Sequence, residues 1–226
     1  MSATPQQKAA LRGFIHDLLL DPAVQKIDFD FAFSHGYGYN RHKVDGWGYS
    51  HVALALTTPL GSGRGITVDV RQLKPDVGAE YSDTENCLIF PSASYGLIQY
   101  ERRTIVHECT HALRDALGRS SRINGAAAVP LGRTRGVEEE AEAYIAAQLF
   151  LMHDAVENSW NYAQETDPIF AAAQAIAERL FGKPGQLVGV GDHADLRKAI
   201  LASSTYEFMH KNPNYRYSPG ANGVKL

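Results

Sequence analysis

The stretch ERRTIVHECTHALRDALG, residues 101–118, has the pattern of an amphipathic helix and carries two histidines four residues apart. On a helical wheel His107 and His111 lie roughly 40° apart, and Glu108 lies about 60° beyond His111. The apolar side chains crowd the other side: Ile105, Val106, Cys109, Ala112, Leu113 and Ala116. We therefore predict a helix over residues 100–117 that buries one face and presents both imidazoles on a separate polar face.

Two imidazoles one helical turn apart can bind the same small cation, and zinc accepts nitrogen at about 2.0–2.1 Å. Glu108 is offset too far around the helix to be a ligand, yet it is near enough to take a proton from the activated water. This is the logic of the H-E-x-x-H motif on a helix. The pattern predicts one Zn²⁺ per chain, bound by His107 and His111, with Glu108 as the general base.

Catalytic zinc usually has three protein ligands and one open position, so a third ligand is needed. The metzincin extension would place a glycine and a histidine three and six residues after His111. Arg114 and Leu117 occupy those positions, which excludes that arrangement. The remaining source is a later helix, predicted over residues 137–154, whose sequence RGVEEEAEAYIAAQLFLM offers four glutamates.

The helical wheel ranks these glutamates. Glu138 and Glu142 lie on the face that continues with Ile145 and Leu149, and a carboxylate that points inward must be paired or bound to metal. Glu139 is the rival, because it lies on the line of small and apolar residues formed by Ala143, Ala146 and Phe150. A third interpretation is that two of the three consecutive acids, Glu138 to Glu140, simply favour the positive end of the helix dipole.

The segment HECTH, followed 27 residues later by EEEAEAYIA, resembles the gluzincin metallopeptidases over residues 100–150. Glu138, Ala141 and Glu142 match the signature of many of those families on their second helix. The resemblance implies that Glu138 is the third zinc ligand and that Glu142 orients a ligand histidine. It also implies a zincin-like fold.

The same resemblance implies that a His or Tyr beyond the second helix stabilises the oxyanion. His153, Tyr162, His193 and Tyr206 qualify by position; we favour His193, although a solvated histidine near a helix start is the alternative. A sheet edge before the active-site helix would hold an extended substrate, and NCLIFPSASYG (86–96) is the candidate, or else an ordinary core strand. The basic, glycine-rich segment 118–136 either covers the cleft or is a plain connection.

The predicted fold class is α+β, in one domain covering residues 1–226. Thr4 and Gln7 form a capping box at the start of a first helix, and short alternating segments then predict a small mixed or antiparallel sheet. A mostly helical part follows, and a tail without periodicity ends the chain. The predicted strands are KIDFDFAF, HVALALTT, GITVDVRQL and NCLIF. The three parts of the domain are residues 1–99, 100–211 and 212–226. Two further helices are predicted over about 168–181 and 192–210.

The composition restricts the function class. A net charge of −3 without a basic half argues against nucleic acid, and no apolar run is long enough for a membrane span. Without a recognisable signal sequence we expect a cytoplasmic protein, with export by a signal-independent route as the alternative. Cys87 and Cys109 are expected to be reduced core thiols. The predicted function is a zinc metallopeptidase acting on a protein or peptide; the alternative is a non-catalytic zinc-binding module.

Overall fold

The structure is a computed structural model that describes residues 3–34, 40–58, 65–74, 77–123, 134–211 and 216–217. It is a mixed α and β fold in which helices predominate. The helices are α1 (Pro5–Leu19), α2 (Pro22–Gln25), α3 (Gly46–Thr57), α4 (Gln99–Ile123), α5 (Gly136–Glu157), α6 (Pro168–Leu180), α7 (Ala194–Ala202) and α8 (Glu207–Lys211). The strands are β1 (Asp28–Phe33), β2 (Asn40–Asp45), β3 (Thr67–Val70), β4 (Glu80–Ser82), β5 (Cys87–Phe90), β6 (Thr134–Arg135), β7 (Gln186–Val188) and β8 (Arg216–Tyr217).

The strands form small sheets. The first has the order β2-β1-β7, with β2 antiparallel and β7 parallel to β1. The second has the order β3-β5-β4, with β3 parallel and β4 antiparallel to β5. The short strands β6 and β8 pair antiparallel. The predicted α+β class is therefore confirmed, and its sheet is divided into separate small sheets rather than being one.

The prediction of a strand over HVALALTT is wrong, because this segment belongs to helix α3 and its C-terminal cap. Asp45 caps this helix, because its carboxylate accepts a hydrogen bond of 2.9 Å from the Gly48 amide. Tyr49, Val52 and Leu56 then follow helical spacing and are fully buried. Short apolar runs suit either a strand or a buried helix, and here the Asp45 cap and the packing of α3 against α1 and α4 both favour the helix.

Helices α4 and α5 pack against each other in the centre of the molecule. The predicted apolar face of α4 is confirmed, because Ile105, Val106, Cys109, Ala112 and Leu113 are all 0% exposed. On its other side α4 contacts α3, where the hydroxyls of Tyr49 and Thr110 lie 2.7 Å apart. Helix α4 continues past the predicted end at Gly118, as far as Ile123.

The C-terminal part differs from the prediction in its last helix and in two short strands, β7 and β8, that were not predicted. The single helix predicted over residues 192–210 is divided into α7, a 3-10 turn (Ser204–Tyr206) and α8. The break follows Ser203, whose extended backbone and hydroxyl, which accepts from the Thr205 amide, start a new turn. Helix α6 ends before Gly182, whose φ of +72° is the left-handed conformation expected there.

Cys87 and Cys109 are both buried and free, as expected. Among the described residues, no helix combines the length and apolar character that a membrane span requires.

Candidate metal centre

Helix α4 brings the two motif histidines to one point. His107 and His111 lie one turn apart on the face that α4 turns towards α5, and their Nε2 atoms are 3.3 Å apart. His107 is 8% exposed, and its ring packs edge-on against the ring of Tyr144, with centroids 4.5 Å apart. The predicted juxtaposition of the two imidazoles is therefore present in the structure.

The carboxylate that meets these histidines comes from Glu140 of α5. Its Oε2 lies 3.2 Å from Nε2 of His107, and its Oε1 lies 3.6 Å from Nε2 of His111. These three residues form the only group in the described part of the chain whose ligand atoms could surround one metal ion. Neighbouring histidine charges and hydrogen bonds hold the pKa of Glu140 at about 2, although its burial acts in the opposite direction.

Glu138, the residue predicted as the third ligand, is directed elsewhere, and the prediction is corrected. Its Oε1 accepts hydrogen bonds of 3.0 Å from Nη1 of Arg197 on α7 and 3.1 Å from the Ser34 amide after β1. It is 0% exposed, so the inward direction was predicted correctly. The partner is an arginine 59 residues away rather than a metal. Glu139, the rival, is also buried and lines the cavity described below.

The positions of the three donor atoms suit zinc. Ligand atoms at about 2.0–2.1 Å from a tetrahedral ion lie roughly 3.3 Å from one another. Here the two Nε2 atoms are 3.3 Å apart, Nε2 of His107 lies 3.2 Å from Oε2 of Glu140, and Nε2 of His111 lies 3.6 Å from Oε1 of the same carboxylate. Two imidazole nitrogens and one carboxylate also form the donor set typical of a catalytic zinc site with one open position. The residues therefore fit the group that the motif implies.

Glu108 lies beside this cluster without being part of it. Its Oε2 accepts a hydrogen bond of 2.8 Å from the Tyr81 amide of β4, and its Oε1 lies 4.0 Å from Nε2 of His107. Burial raises the pKa of Glu108 to about 7, against the effect of His107. A carboxyl with such a pKa can both accept and release a proton near neutral pH.

Two tyrosines complete the cluster on the far side of Glu140. The Tyr206 hydroxyl donates to Oε2 of Glu140 over 2.8 Å and lies 2.8 Å from the Tyr144 hydroxyl. Burial raises the pKa of each tyrosine well above the usual value for a tyrosine hydroxyl, so both hydroxyls stay protonated. Both side chains line the cavity.

His193, favoured above as the oxyanion-stabilising residue, lies outside the cavity lining, and that prediction is corrected. The ring is 0% exposed, stacks on Phe31 with centroids 4.5 Å apart, and has Nε2 3.1 Å from the Ala32 carbonyl oxygen. Of the other candidates, Tyr206 faces the metal cluster. Tyr206 belongs to the short 3-10 turn (Ser204–Tyr206) that interrupts the helix predicted over residues 192–210.

Glu142 is buried, as its position on the wheel predicts, but its observed partner is a different histidine. Its Oε1 lies 2.6 Å from Nδ1 of His42 on β2, and both side chains are almost fully enclosed. We therefore assign Glu142 to the orientation of His42, which joins α5 to the first sheet.

A cavity of about 380 Å³ opens in front of the cluster. Its wall includes the residues just before and within β4, Gly78 to Tyr81, while α5, α6 and the turn before α8 close the other sides. Of the two alternatives for NCLIFPSASYG, the structure shows the ordinary core strand, because β5 is buried and lies between β3 and β4. The outer strand that contacts α4 is β4. Most of segment 118–136, the proposed cover, falls outside the described residues.

Compared with models of known protein families, with curated proteins and with solved structures, this chain gives no significant match.

Proposed function

We propose that this protein is a zinc-dependent peptidase in which His107, His111 and Glu140 bind the metal. The observation that carries the proposal is the convergence of the two Nε2 atoms, 3.3 Å apart, on the carboxylate of Glu140, whose Oε2 lies 3.2 Å from His107 and whose Oε1 lies 3.6 Å from His111. The proposal retains the predicted gluzincin type, a zincin-like fold with an H-E-x-x-H helix and a glutamate from a second helix. It moves that glutamate from Glu138 to Glu140.

Zinc bound at this site supplies a Lewis acid that polarises the scissile carbonyl and lowers the pKa of water. Glu108 takes the proton of the attacking water and later delivers it to the leaving amine. The Tyr81 amide fixes one carboxylate oxygen, which leaves Oε1 on the side of the histidines. Burial, which raises the pKa of Glu108, suits a group that must both accept and release this proton.

Tyr206 is the residue we propose for stabilising the negative charge that develops on the carbonyl oxygen. Its hydroxyl is protonated and lies 2.8 Å from Oε2 of Glu140, next to the proposed metal ligands. The Tyr144 hydroxyl, 2.8 Å away, holds the Tyr206 hydroxyl in position. Its single O–H, which donates to Glu140 in this structure, would turn to the carbonyl oxygen when the substrate binds.

A peptide substrate is favoured by the wall of the cavity. The segment Gly78 to Tyr81 leads into strand β4, an outer strand of its sheet, and it lines the cavity next to Glu108. An extended peptide can pair with such a main chain, which gives affinity with little sequence preference.

The test is Glu108→Gln, which keeps the shape of the side chain and removes the base. We expect zinc content and melting temperature to be preserved, while hydrolysis falls by about 10²–10⁴-fold, the usual contribution of a general acid–base group. A proteome digest with the zinc-loaded wild type, the variant and the control Glu178→Gln, an exposed change on α6, supplies the comparison.

Undiminished cleavage by Glu108→Gln would show that another group is the base. A wild type that holds zinc and cleaves nothing would favour the alternative, a zinc-binding module without catalysis.

A further inference from the structure

The cavity contains a buried arginine that the proposed chemistry does not use. Arg103 lies on α4 one turn before His107, on the same face of the helix, and its side chain is 7% exposed. It lines the cavity together with His107, Tyr100 and Phe170. Among the described lining residues, Lys74 also carries a permanent positive charge, but Lys74 is exposed. The positive charge held inside the cavity is therefore that of Arg103.

The orientation of this guanidinium is fixed from several sides. Its Cζ lies 3.7 Å from the centroid of the Phe170 ring and 5.0 Å from that of Tyr100. Its Nη1 donates to Oε1 of Glu165, in the connection between α5 and α6. The aromatic rings hold the plane of the guanidinium, and Glu165 sets its direction within that plane.

Glu165 is itself anchored independently of Arg103. Its amide donates to Oε1 of Gln174 over 2.8 Å, and Nε2 of Gln148 lies 3.4 Å from the same carboxylate oxygen that Arg103 reaches. The Tyr162 hydroxyl in turn holds Gln148 by a hydrogen bond of 2.6 Å. This network places Arg103, so the arginine is not needed to place the loop.

The donors of Arg103 are not all satisfied. A guanidinium has five N–H donors in a planar fork, and Glu165 is its one hydrogen-bond acceptor among the described residues. Nε is buried and has no partner there. A buried charged donor without an acceptor is costly, and a carboxylate is the group whose geometry matches the remaining donors.

From this placement, and on the basis of the proposed peptidase function, we infer that Arg103 is a specificity-determining residue that binds a carboxylate of the substrate. Four residues of helix rise separate Arg103 from His107 by about 6 Å. An extended peptide advances about 3.3–3.6 Å per residue. The bound carboxylate therefore belongs to the part of the substrate close to the scissile bond. Its source is either the free C-terminus of the substrate or an Asp or Glu side chain.

The test measures binding rather than hydrolysis, so that it does not depend on turnover. Zinc-loaded Glu108→Gln protein is immobilised and exposed to four pools of randomised, N-acetylated hexapeptides. The pools have free or amidated C-termini, each with or without Asp and Glu, and retention is quantified by mass spectrometry. We expect pools with a carboxylate to be retained about tenfold more than the amidated pool without acids, the scale of one charge-assisted hydrogen bond.

Variants in the same background assign that preference. Arg103→Gln should abolish it, whereas Arg102→Gln, which removes the adjacent arginine outside the cavity lining, should keep it. Glu165→Gln should increase retention of the carboxylate pools, because it removes the carboxylate that competes for Arg103. This variant decides the question if Arg103→Gln does not fold.

The outcomes separate the possibilities. An advantage confined to free C-termini identifies the terminal carboxylate as the ligand, and an advantage confined to Asp and Glu in amidated peptides identifies a side chain. Equal retention of all four pools, a preference that survives Arg103→Gln, or no increase with Glu165→Gln would overturn the inference. Wild-type protein that cleaves none of the four pools would contradict the peptidase function instead, and the binding results on Arg103 would stand apart from it.

Discussion

At the scale of single residues, Glu138 and Glu140 lie two positions apart on α5 but have different partners. Glu138 contacts an arginine, whereas Glu140 contacts two histidines. Glu140→Gln should weaken zinc binding by at least about 100-fold, more than the loss of a group outside the ligand set. Glu138→Gln should leave zinc affinity nearly unchanged and should lower the free energy of unfolding by about 2 kcal/mol, because Arg197 loses its buried carboxylate. Zinc titration and urea unfolding of both variants measure the two effects. Stronger zinc loss with Glu138→Gln would restore the original choice.

The Tyr206 hydroxyl gives a second residue-scale prediction. Tyr206→Phe should lower kcat by about 10²-fold, the range for losing one oxyanion donor, while zinc is retained at saturating metal. Tyr49→Phe is the matched control, because the Tyr49 hydroxyl bonds Thr110 and does not line the cavity. Equal kcat values for the two variants would remove Tyr206 from the mechanism.

The residues of the H-E-x-x-H motif could be predicted because their relation is local. A helix fixes the directions of His107, Glu108 and His111 whatever the rest of the chain does. The third acid could not be chosen in this way. A wheel gives the direction of Glu138 but not what lies there, and Arg197 comes from a helix far along the chain. The face of α5 that contacts the histidines of α4 is instead the one that carries Glu140 and Tyr144.

At the scale of elements, the same limit explains α3. A capped helix and a short strand can share the sequence HVALALTT, and packing of α3 against α1 and α4 selects the helix. Long periodic segments were predictable: α1, α5 and α6 begin within one residue of the predicted positions. Strand β4, three residues long, has too short a pattern to be recognised, yet it holds Glu108.

His193 lies at the start of α7, with its ring 3.1 Å from the Ala32 carbonyl oxygen of β1, and its burial predicts that stability depends on pH. Burial lowers the pKa of His193 below its ordinary 6.5, so the folded state prefers the neutral ring. Above pH 6.5 this contribution to stability is complete. Below pH 6.5 His193 takes up a proton in the unfolded chain but stays neutral in the folded chain. The free energy of unfolding therefore falls by up to about 1.4 kcal/mol per pH unit, until the pH drops below the pKa of His193 in the folded state.

Urea unfolding between pH 5 and 7.5 measures this effect. His193→Gln keeps a donor for the Ala32 carbonyl and does not titrate, so its stability should vary less with pH over this range. Identical pH profiles for the variant and the wild type would show that His193 does not contribute.

At the scale of the whole molecule, the arrangement of elements explains why a site exists between α4 and α5. The buried faces of both helices join the common core, and α3, the first sheet and α7 surround them. The polar edges of the two helices then meet where β4 and the turn before α8 close the cavity. The chain supplies two histidines, an acid, a base and a tyrosine from separate parts of its length at that one place.

The most direct test of the account is diffraction from crystals of the zinc-loaded protein, recorded on both sides of the zinc absorption edge. The account predicts one anomalous peak within bonding distance of Nε2 of His107, Nε2 of His111 and the carboxylate of Glu140. The fourth position should hold solvent, as in a catalytic site. A peak at Glu138, a fourth protein ligand in place of solvent, or no peak between α4 and α5 would contradict it.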